Sequence, residues 1–194
     1  MRLVGVILAG GQARRMGGAD KALALLGGQT LITRVADRFA PQVAALAVSA
    51  NGDPQRFAAL GLPVLPDAVP LGPLSGILSA LDWAAMQAAD AVVSVPVDAP
   101  FLPGDLVPQL LLAADDGAAI ACTEGRDHPV FGLWPVALRD DLRAFLASGV
   151  KPKVLDFCER VGAARATFPD AVAFLNLNTS EDLASAETRL GGAG

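Results

Sequence analysis

The sequence has few of the residues that characterise disulfide-stabilised, secreted or membrane-spanning proteins. It contains two cysteines, Cys122 and Cys158, and they do not form a C-x-x-C pair. This spacing predicts two buried or half-buried free thiols rather than a disulfide framework or a metal cluster. No apolar run is long enough to cross a membrane, and the apolar run at 3–8 is too short for the core of a signal peptide. We therefore expect a protein of the reducing cytoplasm that inserts into no membrane.

Charged residues are also sparse, and their distribution is uneven. They make up 18% of the 194 residues, against 53% hydrophobic residues, which predicts one ordered domain over residues 1–194. The net charge of −5 argues against nucleic-acid binding. Residues 1–34 nevertheless hold five cations and one anion, a net charge of +4 that leaves −9 for the rest of the chain. This concentration of positive charge suits a small polyanionic ligand bound near the N-terminus.

Internal repeats, linkers and low-complexity segments are absent, and strand-like runs alternate with helical patterns. Apolar runs predict strands at 3–8, 43–50, 63–65, 91–97, 118–123, 129–134, 164–168 and 172–177. The run at 129–134 is compatible with an antiparallel strand. Helical spacing predicts helices at 31–39, 77–88, 135–146, 154–161 and 179–189, the last beginning at a capping box, Thr179 to Asp182. The alternation indicates a three-layer α/β/α, Rossmann-like fold on a mostly parallel sheet.

The first predicted strand runs directly into a glycine-rich basic loop, and residues 3–21 read LVGVILAGGQARRMGGADK. Glycines such as Gly10 and Gly11 let the backbone approach a ligand closely, because no Cβ stands in the way. Free backbone N–H groups in such a loop can cradle an anion, and Arg14, Arg15 and Lys21 add positive charge. The loop therefore predicts a phosphate-binding site.

The spacing of this loop excludes two common phosphate-binding motifs. Five residues separate Gly11 from Gly17, and Gly18 is followed by Ala19, so the P-loop pattern G-x4-G-K-[ST] is not matched. The dinucleotide fingerprint G-x-G-x-x-G is also absent. The loop therefore follows neither of these two patterns.

Polar side chains follow several predicted strands at the point where each strand ends. Asn51, Asp67 and Asp98 come after the second, third and fourth strands, and Asn176 and Asn178 end the last one. Open α/β sheets bind ligands at the carboxyl ends of their strands. Asn and Asp are also ordinary turn residues, but their repeated placement predicts one shared site.

Individual roles within this set leave alternatives open. Asp98 is placed to hold Mg²⁺, which prefers carboxylates and substrate phosphates, or else to cap the helix after Pro103. The side chains of Asn176 and Asn178 would project from the same face of their predicted strand. There they would either contact a second substrate or form an asparagine ladder at a sheet edge. His128, the only histidine, is interpreted as a plain loop residue in preference to a second-substrate contact.

The loop pattern L-A-G-G-x3-R-M-G-G-x-D-K resembles the signature of nucleotidyltransferases that activate sugars and cofactors. It is most similar to the molybdenum cofactor guanylyltransferases, the MobA family within the nucleotidyltransferase superfamily. Further blocks resemble that family in its own order, over nearly the whole chain. They are VSAN to Asn51, LPD to Asp67, GPLSG at 72–76, VPVDAP at 95–100, DHP at 127–129 and FLNLNT at 174–179.

The resemblance implies an enzyme that binds GTP and Mg²⁺ and transfers GMP to the terminal phosphate of molybdenum-bound molybdopterin, releasing pyrophosphate. Molybdoenzyme-assembly proteins are possible further partners, and nucleic acid is not expected. Asp98 is implied as the metal ligand, with Arg15, Lys21 and Asp98 in catalysis and Asn176 and Asn178 at the second substrate. The implied GTP contacts are Leu8, Ala9, Gly10, Gly11, Lys21, Asn51, Asp67 and Asp98.

Three other functions compete with this one. A cytidylyltransferase acting on the same pterin would carry Leu-Ala-Ala-Gly in its loop, so Gly10-Gly11 argue against it. A sugar-phosphate nucleotidyltransferase is disfavoured by the short chain. A non-catalytic GTP-binding accessory protein would bind GTP without releasing pyrophosphate, which distinguishes it by experiment.

Overall fold

A central seven-stranded sheet organises the computed structural model, which describes residues 1–10, 20–67, 71–149 and 152–191. Most of the glycine-rich loop, with Gly11, Arg14 and Arg15, lies outside the described residues. The strands are β1 Leu3–Leu8, β2 Leu25–Leu26, β3 Gln29–Thr30, β4 Leu46–Ser49, β5 Val64–Leu65, β6 Ala91–Pro96, β7 Ala119–Thr123, β8 Arg126–Pro135 and β9 Ala164–Thr167. The α-helices are α1 Leu31–Phe39, α2 Pro73–Met86, α3 Leu106–Ala114, α4 Arg139–Ala147, α5 Val154–Arg160 and α6 Ser180–Gly191.

The strand order of the large sheet is β5-β4-β1-β6-β8-β7-β9. Strands β5, β4, β1 and β6 are mutually parallel, and β9 is parallel to β7. Among these seven strands, β8 alone runs antiparallel to its neighbours, as its composition allowed. Strands β2 and β3 form a separate short hairpin. The predicted mostly parallel α/β fold is confirmed.

Helices cover both faces of the sheet because the side chains of each strand alternate between them. In β1, Val4, Val6 and Leu8 pack towards α2, α4 and α5, whereas Ile7 packs towards α1 and α3. Gly5 also faces α1, where an added Cβ would lie 2.7 Å from Cε1 of Phe39. A glycine is needed here because the Phe39 ring lies directly on the strand.

The last predicted strand, at 172–177, is wrong. Residues Ala171–Phe174 form a 3₁₀-helix whose N-cap Asp170 accepts a hydrogen bond from the Val172 N–H. Ala173 and Phe174 are both buried, which a half-buried strand with alternating faces does not allow. In the extended segment that follows, the Leu177 N–H donates to the Asp98 carbonyl at 2.8 Å.

Two of the other boundaries that differ from the predictions have a clear physical reason. Helix α2 begins at Pro73 rather than at 77, because Gly72 takes φ 93° as the N-cap and Pro73 suits the first helical position. His128 lies within β8, not in a loop, because the β7–β8 hairpin extends to Arg126.

The two cysteines are buried free thiols, as predicted. Burial raises the pKa of the Cys158 thiol to about 12, so this group stays protonated.

Among the described helices, we find none with the length and apolarity that crossing a membrane requires.

Candidate active site

The carboxyl ends of four adjacent parallel strands bring the predicted polar residues to one edge of the sheet. Asp67 follows β5, Asn51 follows β4, Gly10 follows β1 and Asp98 follows β6, in the spatial order of those strands. The chain leaves β1 towards β4 on one side and later returns to β6 on the other. The reversal of strand order therefore falls between β1 and β6, where open α/β sheets form their ligand crevice.

A charged cluster lies at the β6 end of this edge. The Lys21 ammonium donates to Oδ2 of Asp98 at 2.5 Å and to Oδ1 of Asn178 at 2.7 Å. Lys21 begins a 3₁₀-helix, Lys21–Leu23, which is capped by Asp20 through a bond from the Ala22 N–H at 3.0 Å. An ammonium has three N–H donors, so one remains for a ligand after these two bonds.

The second oxygen of Asp98, Oδ1, is buried and has no hydrogen-bond partner among the described residues. A buried carboxylate oxygen without a partner is costly, and a divalent cation would satisfy it. The described parts of the chain contain no group of three or more His, Cys, Asp or Glu side chains that could bind a metal by themselves. The donor set therefore fits Mg²⁺ held by Asp98 together with ligand phosphate oxygens.

A second polar cluster lies at the ends of β4 and β5. Asp67 accepts hydrogen bonds from Oγ of Ser49 at 3.2 Å and from Nδ2 of Asn51 at 3.1 Å. The Asp67 N–H in turn donates to Oδ1 of Asn51 at 2.9 Å, so the two side chains hold each other in place. Partial burial raises the pKa of the Asp67 carboxyl, although the bonds from Asn51 and Ser49 lower it.

The first residues after β1 lie between the two clusters. The Leu8 side chain is buried in the core towards α2, so only its backbone is near the edge. The Leu8 carbonyl accepts from the Val97 N–H at 3.2 Å, and the Ala9 N–H donates to the Ser49 carbonyl at 2.9 Å. Gly10 is exposed, and a Cβ there would lie 3.6 Å from Oδ2 of Asp67. A ligand contact at Leu8 would therefore have to use the backbone.

Arg56 joins the two clusters and was not singled out by the sequence. Its Nη2 donates to the Asn51 carbonyl at 2.9 Å, and its Nε lies 3.2 Å from Oδ2 of Asp20. Neither atom of the Asp20 contact has a hydrogen-bond partner among the described residues, so this contact is an ion pair. The guanidinium also stacks on the Phe57 ring, 4.6 Å from its centroid. The only sequence signal was an arginine three residues after a strand-end Asn-Gly-Asp turn.

The two asparagines near the C-terminus do not act as a pair. Asn178 contacts Lys21, whereas Asn176 lines a separate cleft with Phe101 and Arg189. Among the described residues, no hydrogen bond joins Asn176 to Asn178 or Lys21. Because the segment is not a strand, the expectation that both side chains leave one strand face is wrong.

His128 is held by aromatic packing rather than by a charged partner. Its Nε2 lies 2.7 Å from Oγ1 of Thr123, and its ring stacks on Phe174 with centroids 4.7 Å apart. Burial lowers the pKa of His128, and the charge of Arg126 lowers it further. A neutral imidazole packed in this way is a structural residue in the described arrangement.

Helix α2 approaches the β4 end so closely that position 76 must be glycine. A Cβ on Gly76 would lie 2.8 Å from Cδ2 of Leu8 and closer still to Oγ of Ser49. We expect Gly76→Ala to lower the free energy of unfolding by about 1–3 kcal/mol, because overpacking forces backbone or rotamer shifts. The resemblance to nucleotidyltransferases implies that a nucleotide binds at this edge, and displacement of Ser49 from Asp67 should weaken that binding. Urea unfolding and nucleotide titration measure the two effects.

Gly104→Ala is the matched control, because a Cβ there would meet no atom within 4 Å. This variant should keep both the stability and the nucleotide affinity of the unmodified protein. Equal behaviour of the two variants would show that the close approach of α2 is not required.

This edge belongs to an open, mostly parallel sheet covered by helices on both faces, a Rossmann-like α/β/α fold. Two solved structures share it. One is the molybdopterin-guanine dinucleotide biosynthesis protein A of Archaeoglobus fulgidus, with a TM-score of 0.74 at 22% identity over 98% of this chain and 99% of that one. The other is a CMP:2-keto-3-deoxy-manno-octonic acid synthetase complexed with CTP, with a TM-score of 0.72 at 16% identity over 100% of both chains. At these identities the likeness concerns the fold.

Sequence relatives define the family. The family described as the MobA-like NTP transferase domain matches residues 5–161. The molybdenum cofactor guanylyltransferase of Cereibacter sphaeroides is 61% identical over 98% of this chain and 98% of its own length. That of Bradyrhizobium sp. is 51% identical over 94% of this chain and 91% of its own. The chain belongs to the MobA-like NTP transferase family and is a nucleotidyltransferase.

Proposed function

We propose that this protein transfers GMP from GTP to the terminal phosphate of molybdenum-bound molybdopterin, releasing pyrophosphate and forming the guanine dinucleotide form of the cofactor. The observation that carries the proposal is the Lys21–Asp98 pair at the end of β6, in which the buried Oδ1 of Asp98 has no partner within the part of the chain that the structure describes. The names of the relatives supply the identity of the substrates.

The charged cluster suits the chemistry of nucleotidyl transfer. Such reactions depend on positioning and on stabilising charge, not on covalent side-chain chemistry. Mg²⁺ bound at Asp98 would neutralise phosphate charge in the transition state. Lys21 has one N–H without an acceptor among the described residues, and this N–H would donate to a phosphate oxygen and stabilise the charge that develops on the leaving pyrophosphate. Arg15 and Gly11, outside the described residues, are proposed to complete the phosphate-binding loop.

The second cluster suits a guanine base. Guanine presents two adjacent donors, N1–H and the N2 amine, which one carboxylate can accept together. Asp67 is held by Ser49 and Asn51 at the β4–β5 end, on the opposite side of β1 from Asp98. The nucleotide would therefore lie across the end of β1, with its base at Asp67 and its phosphates at Lys21, past the backbone of Ala9 and Gly10.

The second substrate would approach from the C-terminal segment. Asn178 already contacts Lys21, so its amide can meet the attacking phosphate near the same ammonium. Asn176 lines the neighbouring cleft with Phe101 and Leu175, whose apolar surfaces suit a flat heterocycle. We assign Asn178 to the phosphate end and Asn176 to the pterin end of molybdopterin. The reaction would take place in the cytoplasm, and assembly proteins would receive the product.

The decisive experiment combines purified protein, Mg²⁺ and the molybdenum-bound precursor with GTP, CTP or ATP. The proposal predicts pyrophosphate release and a guanine dinucleotide product with GTP alone, and thermal stabilisation greatest with GTP. Product from CTP would identify a cytidylyltransferase. GTP binding without pyrophosphate release would identify an accessory protein, and turnover with a sugar phosphate would identify a sugar nucleotidyltransferase.

A further inference from the structure

Helix α6 begins with a capping box whose residues also touch the active site. The Asp182 N–H donates to Oγ1 of Thr179 at 3.1 Å, and the Thr179 N–H donates to Oδ2 of Asp182 at 2.9 Å. This reciprocal pair is the capping box that the sequence predicted. The same Oδ2 accepts a second bond, from the Asn178 N–H at 2.7 Å.

Through this bond Asp182 contacts the backbone of Asn178, whose side chain belongs to the charged cluster around Lys21. Asn178 is exposed, and among the described contacts its side chain has one protein partner, the Lys21 ammonium. Its backbone is held by Asp182 on one side and by the Leu177–Asp98 bond on the other. The position of the Asn178 amide therefore depends on the Asp182 carboxylate.

The charge state of Asp182 supports this arrangement. Bonds from the N–H groups of Asn178 and Thr179 lower the pKa of the Asp182 carboxyl, and the Lys21 charge lowers it further. The group is therefore ionised at neutral pH, and it accepts both bonds as a carboxylate.

Helix α6 also packs directly on the segment that carries Lys21. Leu26, which ends the β2 strand shortly after Lys21, shares a buried cluster with Leu177 and Ala186. The Gly27 N–H donates to Oε1 of Glu187 at 3.4 Å. Helix α6 and its capping box are therefore held against the segment that carries Lys21 as well as against Asn178, and these are the two partners of the Lys21–Asn178 bond.

We infer that Asp182 is a positioning residue for nucleotidyl transfer: it holds Asn178, and Asn178 holds Lys21 between two acceptors. With both acceptors in place, the ammonium is fixed and its third N–H points to a phosphate. Without Asn178, Lys21 has Asp98 as its described partner, and the ammonium is free to rotate about that contact. This inference rests on the proposed function.

The effect should appear mainly in turnover, because a loosened lysine still attracts the triphosphate by charge but no longer meets the developing charge in one position. We expect Asp182→Ala to lower kcat at least 10-fold and to change the KM for GTP by less than 3-fold. Asp182→Asn keeps an acceptor oxygen, so this variant should fold, and its kcat should lie between those of Asp182→Ala and the unmodified protein.

The test is a double-mutant cycle with Asn178→Ala, in which Glu181→Gln is the control. Glu181 lies in the same first helical turn and carries the same charge, but it does not accept from the Asn178 N–H. If Asp182 acts through Asn178, Asp182→Ala should cost less than 2-fold in kcat once Asn178 is alanine. Glu181→Gln should stay within 2-fold of the unmodified protein in both backgrounds.

An equal loss in both backgrounds would overturn the inference, because it would show that Asp182 only caps the helix. Unchanged kcat in Asp182→Ala and Asp182→Asn would overturn it as well. If the unmodified protein itself releases no pyrophosphate with GTP and the precursor, the proposed function fails. In that case the positioning role in turnover fails with it, whereas an equal loss in both backgrounds removes only the role of Asp182.

Discussion

Asp98→Asn should leave the fold intact and lower kcat by about 10²-fold or more, which corresponds to about 3 kcal/mol of transition-state stabilisation. The carboxylate has one oxygen on Lys21 at 2.5 Å and one buried oxygen without a described partner. Asparagine has the same shape but no charge, and it can place an NH₂ group against the ammonium or against the cation. Steady-state rates over a Mg²⁺ titration measure the loss, and circular dichroism verifies the fold.

Asp90→Asn is the matched control for this prediction. Asp90 lies immediately before β6, and Asp98 follows the same strand, so the two carboxylates are at opposite edges of the sheet. Asp90 accepts a bond from the Arg2 N–H and has no contact with the site cluster. This variant should turn over at the normal rate. Near-normal turnover of Asp98→Asn at saturating Mg²⁺ would mean that the metal is held elsewhere.

Most of the fold could be predicted because apolar runs and caps are local signals. Strand β1 and helix α1 were predicted at their observed bounds, and Thr30 caps α1 by accepting from the Thr33 N–H. The error at 172–177 has a physical cause, because an alternating Val/Phe/Leu pattern also suits a 3₁₀ turn followed by extended backbone. No local sequence signal distinguishes this conformation from a strand, because the segment is held by a hydrogen bond to the carbonyl of Asp98, which is distant in the sequence.

The candidate site likewise contains residues that local signals could predict and one residue whose role depends on a distant contact. Strand-end placement brought Asn51, Asp67 and Asp98 to one edge, because parallel strands share the direction of their carboxyl ends. Arg56 could not be singled out, because its role depends on reaching Asp20, which the chain order places 36 residues away. The functional roles of these residues stay predictions, and the experiments above address them.

The second large effect concerns the choice of base. Asp67→Asn should lower kcat/KM for GTP by roughly 10- to 100-fold, about 1–3 kcal/mol, because one acceptor and the negative charge are lost. A site built for particular hydrogen bonds rejects bases that cannot make them more strongly than shape alone would. CTP, which lacks guanine's pair of donors, should keep its low efficiency, and the Mg²⁺ dependence should not change.

Asp53→Asn is the control for Asp67, because Asp53 caps the neighbouring 3₁₀-helix by accepting from the Gln55 N–H at 2.9 Å. It is a carboxylate shortly after β4, the strand that pairs with β5, but it does not touch Ser49, Asn51 or Asp67 in the described contacts. GTP and CTP efficiencies should both stay within 2-fold of normal. If Asp67→Asn needed much more Mg²⁺ and kept its base preference, Asp67 would belong to the metal site.

The pH dependence gives an independent test of the same assignment, because a carboxylate can accept from both guanine donors only when it is ionised. Burial raises the pKa of Asp67 above its ordinary value of 3.8, so this group takes up its proton at a higher pH than an exposed aspartate does. As pH falls through that range, the GTP efficiency of the unmodified protein should approach that of Asp67→Asn. The ratio of the two efficiencies cancels protonation of the nucleotide itself, since both proteins use the same GTP. A ratio that stays constant on acidification would mean that the ionised Asp67 carboxylate does not accept hydrogen bonds from the guanine base.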